Sequence, residues 1–234
     1  IEIEAYNCNM ERLARELREA GIRVAVEGYN HTTRDHWKLV TDSSLQGNNT
    51  FELVSPILAG ENGLKELETV CWVLDICDAK VNDSCGFHVH MDAAGFSLDT
   101  WKNLALTYKH LEHLIDAFMP RARRNNTYCK SLSGVSDERI KAVRTIDDLQ
   151  EVFNNDRYHK VNFEAYSRHR TVEFRQHSGT TNFTKMENWI RFLNGLITFA
   201  KSSSLPSRMT LEGLPFLNGK QKLFFKLRTK KLAV

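Results

Sequence analysis

The stretch Cys85–Asp92, CGFHVHMD, decides how the rest of this chain is read. Taken as a strand, it sends Phe87, Val89 and Met91 to one face and His88 and His90 to the other, because side chains alternate along extended backbone. Three apolar side chains mark a core face. Two imidazoles on the opposite face ask for a ligand. Working outward, three more stretches repeat the pattern. IEIE at the start sets Glu2 and Glu4 opposite Ile1 and Ile3, TFELVSP places Glu52 between Phe51 and Leu53, and TVEFRQH sets Glu173, Arg175 and His177 opposite Val172, Phe174 and Gln176. A single polar strand face is commonly just the wetted side of a sheet. Solvated faces, however, favour Thr, Ser, Lys and Gln, whereas these carry Glu, His and Arg, the groups that hold metals and phosphates. Carboxylates gathered on one sheet also repel one another unless a cation lies between them.

The segments between these strands fix the fold class. Met10, Leu13, Ala14 and Leu17 recur at helical spacing, with Asn9 as N-cap and Gly21 as stop. IRVAVEGY reads as a strand, and HWKLVTD and TFELVSP as a hairpin pair about the polar SSLQGNN. Leu64, Leu67, Cys71, Leu74 and Cys77 predict a helix, and Ser97 caps a long one that Pro120 ends. Arg121–Gly134 is basic and aperiodic, a functional type of loop. A short helix near Asp147–Phe153, strands KVNFEAY and TVEFRQH, and a last long helix through Trp189 and Phe199 complete the set. Strands and helices mix in hairpin-like order without regular βαβ alternation, which predicts one α+β domain on a mainly antiparallel sheet over residues 1–203. Residues 204–234 read as a linker and a solvated basic tail.

Composition narrows the function classes. With 41% hydrophobic and 26% charged residues and a net charge of +3, the chain reads as a globular protein. No apolar run has the length of a membrane span. Five scattered cysteines without a CxxC pair suit a reducing cytoplasm better than a disulfide framework. The basic tail alone is a weak case for nucleic acid. Four carboxylates with one or two imidazoles form a hard donor set suited to Mg²⁺ or Mn²⁺, although His88, His90 and one glutamate also make a zinc set. Arg175 beside them adds a bidentate phosphate binder.

Glu2-x-Glu4, then DSS at Asp42–Ser44, ELVSP at Glu52–Pro56, CGFHVHMD, and TVEFRQHSGT at Thr171–Thr180 together resemble the ordered motifs of the amidoligase family, carboxylate–amine ligases with the glutamine synthetase catalytic fold. The resemblance covers roughly residues 1–200. It implies a curved sheet with helices on its convex face and Mg²⁺ (or Mn²⁺) on the concave one. It also implies ATP as co-substrate and an acyl-phosphate route to an amide or isopeptide bond on a peptide or amino-acid derivative. By the same resemblance Glu2, Glu4, Glu52, His88 and Glu173 ligate metal, His90 sits near the transferring phosphate or the acid substrate, and Arg175 clamps the phosphates. By analogy, the basic segment after the long helix, with Arg121, Arg123, Arg124 and Tyr128, completes the phosphate or substrate site, Arg121 and Arg124 being expected at the nucleotide with Arg175. Tyr128, Lys160 and Asn162 are then expected at the substrate. The sequence shows no clear counterpart of the small N-terminal domain of glutamine synthetase, so that enzyme's oligomer is not carried over. The rival reading is a zinc-dependent hydrolase built on the HxH pair.

Overall fold

The computed structural model describes residues 1–233, which contain seven strands and eight helices. Cα packing divides them into two compact units, one of Ile1–His88 with Ser178–Glu187 and one of Val89–His177 with the chain from Asn188.

The first unit opens with β1 (Glu2–Ala5) and α1 (Met10–Glu19). The Asn9 side chain accepts the Glu11 and Arg12 N–H groups at the helix start, and Gly21, at φ +85°, lets the chain turn out of the far end. Leu13, Ala14 and Leu17 form the buried stripe of α1. Next come β2 (Val24–Val26), β3 (Trp37–Val40), β4 (Phe51–Val54) and α2 (Gly60–Ile76), and the unit takes in the first two residues of β5 (Phe87–Asp92). The strand order is β2-β3-β4-β1-β5, antiparallel except for the parallel pair β2–β3. One transverse row, Leu39–Leu53–Ile3–Phe87, has no exposed residue and is the spine of this core.

The second unit holds the rest of β5, with order β5-β7-β6, all antiparallel. Its elements are α3 (Leu98–Ala117), α4 (Asp137–Ala142), α5 (Ile146–Val152), β6 (Val161–Asn162), α6 (Ala165–His169), β7 (Thr171–Phe174), the larger part of α7 (Phe183–Ala200), and α8 (Gly219–Leu232). Ser97 caps α3 by accepting the Thr100 N–H. Val89, Phe174 and Val161 line up across the three strands as a buried row. Around Phe118 the rings of Trp189, Phe192 and Phe225 close the core.

Two readings of the sequence need correction. KVNFEAY is not strand throughout: β6 ends at Asn162, whose side-chain carbonyl accepts the Glu164 N–H and turns the chain into α6. The C-terminal helix is more than a solvated basic tail, because α8 buries Phe225 between Phe118 and Phe192 and Arg228 donates to the Phe118 carbonyl. Among the described residues no helix is long and apolar enough to cross a membrane.

Candidate functional site

In the first unit the register puts the polar residues in two neighbouring rows on the face opposite the apolar spine. One row reads Lys38–Val54–Glu2–His88 and the next Val40–Glu52–Glu4. Glu4 and Glu52 are therefore direct cross-strand partners, an arrangement of like charges that destabilises a bare sheet. Asp42, two residues beyond β3, joins them, so that one carboxylate oxygen from each of Glu4, Asp42 and Glu52 lies within 4.8 Å of the others. Donors partly offset this charge. The Gly86 N–H reaches Glu4 Oε2 at 2.5 Å, and His88 Nδ1 lies 3.0 Å from Glu2 Oε2 and 3.8 Å from Glu4 Oε1. Glu4 and His88 are buried.

Lys38, which the sequence reading passed over, rises from the same face and is buried. Its ammonium donates to the Asn30 carbonyl at 3.0 Å, Asn30 Oδ1 at 2.8 Å and the Thr32 carbonyl at 2.7 Å. Loss of solvent lowers its pKa, against the pull of Glu27, Glu52 and Glu2. Three oxygens at close range with negative charge in excess are chemically suited to a hard divalent cation, so the residues present fit Mg²⁺ or Mn²⁺.

In the second unit His90, Glu173 and Asn162 form one row. Glu173 is buried, and its two oxygens accept from Asn162 Nδ2 at 2.6 Å and Arg175 Nη1 at 2.7 Å. His90 Nε2 is 4.0 Å from Glu173 Oε1, while its Nδ1 shares a 2.8 Å hydrogen bond with the Thr171 hydroxyl. The Arg175 guanidinium also donates through Nε to the Tyr128 carbonyl and lies 5.5 Å from the Tyr158 ring centre. Tyr128 is half exposed and packs edge-on against Tyr158.

The remaining expected residues divide by environment. Arg121 is exposed, and Arg124 is tied by Nε to the Met119 carbonyl. Lys160, expected at the substrate, is fully buried, with its ammonium 3.2 Å from Glu112 and 2.8 Å from Asp116. Asn162, also expected at the substrate, donates through Nδ2 to Glu173 and accepts the Glu164 N–H at Oδ1. Of the three arginines in the basic segment, it is Arg123 that turns inward.

Cross-strand rows of Glu, His and Lys on one face, and a carboxylate clasped by Asn and Arg, are groups chemically able to hold cations and anions. A family model described as "Putative amidoligase enzyme" matches residues 1–197, and the chain belongs to that amidoligase family. Neither the search of curated proteins nor that of solved structures found a match.

Proposed function

We propose that this protein is an ATP-dependent ligase with a glutamine synthetase-like catalytic fold, which joins a carboxylate to an amine through an acyl phosphate. The observation that supports the reading is the convergence of carboxylate oxygens of Glu4, Asp42 and Glu52, which we read as a cation site. A carboxylate is a poor electrophile, since its leaving group is an oxide. Phosphorylation replaces that leaving group with phosphate, after which an amine displaces it and gives up a proton. A bound Mg²⁺ or Mn²⁺ would neutralise phosphate charge during the transfer.

Metal-ligand roles go to Glu2, Glu4, Glu52 and His88 in the first unit, with Asp42 added to the set read from the sequence, and to Glu173 in the second. Arg175, planar and bidentate, is suited to phosphate oxygens, and its clasp by Glu173, Tyr128 and Tyr158 keeps it oriented. His90 is assigned to the reacting acid or phosphate. Tyr128 is assigned to the substrate by virtue of its exposure, whereas Lys160 and Asn162 serve as supports. Arg121 and Arg124 remain assigned to the nucleotide. The acid and amine are small molecules or peptides.

The test offers the protein Mg-ATP, a panel of peptide carboxylates and an amine such as hydroxylamine, and follows ADP, phosphate and the hydroxamate by mass spectrometry. Stoichiometric ADP and hydroxamate are expected, with Glu52→Gln lowering the rate at least about a hundredfold. Amide hydrolysis without nucleotide, with zinc retained through purification, would replace this reading by the hydrolase.

A further inference from the structure

Arg175 leaves β7 at the point where the strand ends, so its side chain is only as well placed as the backbone that carries it. That backbone is held on both sides. The Arg175 N–H donates to the Lys160 carbonyl at 2.9 Å. On the other side the Arg123 guanidinium bridges two successive carbonyls, with Nη2 donating to Arg175 O and Nε to Gln176 O at 3.4 Å. Arg123 is only 5% exposed, so its charge is spent on main-chain dipoles inside the second unit.

Behind this bridge lies a hydrogen-bonded network. Gln176, which has no exposed surface, donates to Asp116 Oδ1 at 2.5 Å and accepts from the Tyr108 hydroxyl at 2.7 Å. The same Asp116 oxygen accepts from Lys160, which also reaches Glu112, and Glu112 in turn accepts the Leu132 N–H. Lys160 thus pairs with two carboxylates, Glu112 and Asp116, and Gln176 links this network to the carbonyls that Arg123 holds. Such buried ion networks add little stability compared with apolar packing, and one attested use of them is to fix a single arrangement.

We infer that Arg123 is a positioning residue, which through the Arg175 and Gln176 carbonyls fixes Arg175 for an anionic ligand of the triphosphate class. The identity of that ligand rests on the ligase reading, while the positioning itself does not. Arg123 bridges two carbonyls because its fork presents donors in a fixed plane; lysine, a single point donor, holds only one of them well.

The experiment reads Arg175 directly. In protein labelled with ¹⁵N-arginine, the Arg175 Nε–H, bonded to the Tyr128 carbonyl, is assigned by its loss in Arg175→Lys. Arg123→Met is expected to shift or broaden that resonance, Arg123→Lys to do so less, and the exposed control Lys201→Met to leave it in place. In parallel, the affinity for Mg²⁺ with a non-hydrolysable ATP analogue, measured by calorimetry, falls about tenfold in Arg123→Met, with partial recovery in Arg123→Lys. An unmoved Arg175 resonance in Arg123→Met overturns the inference whatever the affinity does. If Arg123→Met does not fold, Arg123→Lys alone decides by the same resonance. Failure of the wild-type protein to bind the analogue sinks the nucleotide reading and leaves the resonance to judge the positioning.

Discussion

Lys38 buries an ammonium among oxygens of the loop that joins β2 to β3. A lysine between Trp37 and Leu39 reads as one polar step of an alternating strand. Its partners, Asn30 and Thr32, meet it only once β2 and β3 pair and the intervening loop folds back. Burial disfavours its charged form, so the folded protein holds this proton less firmly than the unfolded chain. The sign then follows from proton linkage. Between the depressed pKa and the ordinary lysine value of 10.5 the unfolded state binds more protons, and stability due to this group rises with pH across that window. Urea melts of wild type and Lys38→Met at pH 8 and pH 10 should therefore show wild type gaining on the variant at the higher pH. Equal differences at both values would mean that Lys38 keeps an ordinary pKa. Glu2, Glu4, Glu52 and His88 were legible because alternation alone assigns a face to each. The pairing of Glu4 with Glu52, and the arrival of Asp42 beside them, required the register.

Among the elements, the strands that carry the motifs were readable where a strict period of two ran into apolar partners, as in β1, β4, β5 and β7. β6 misled because Val161, Asn162 and Phe163 continue that period, while a side-chain turn at Asn162 ends it. The SGT that follows TVEFRQH gains a structural reason from its contacts. The Gly179 N–H donates to the Cys85 carbonyl at 2.9 Å, and a Cβ at Gly179 would stand 2.5 Å from Cys85 Cβ and 3.0 Å from its carbonyl oxygen. Neither backbone nor a short buried side chain can yield that space cheaply. Gly179→Ala should cost about 1–3 kcal/mol, as overpacking typically does, and should loosen the start of β5 next to His88. Chemical denaturation gives the first number, and amide exchange at Phe87 and His88 reads the second. An unchanged melting midpoint would mean that the approach of Gly179 to Cys85 is slack.

For the molecule as a whole, the physical question is why a folded protein keeps three carboxylates where they oppose folding. Without a cation, Glu4, Asp42 and Glu52 repel one another at short range; Glu4 and Asp42 also accept hydrogen bonds from Gly86 and Ser44, so the charge to remove as a test is that of Glu52. Glu52→Gln keeps the shape of the side chain and should raise the stability of the metal-free protein by about 0.5–1 kcal/mol. With a divalent ion the order reverses, because a ligand that binds only the folded state adds stability that grows with its saturation, about 2.7 kcal/mol at a hundredfold excess over Kd. Mg²⁺ or Mn²⁺ should therefore raise the melting temperature of wild type well above that of Glu52→Gln, and chelation should restore the first order. This crossing separates a cation site from a merely acidic surface, whose response to a divalent ion would be weak, matched by monovalent salt at equal ionic strength, and indifferent to Glu52. A variant less stable than wild type in chelator, with no reversal on adding metal, would show that these carboxylates are held by their protein neighbours alone, and the ligase reading would lose the observation that carries it.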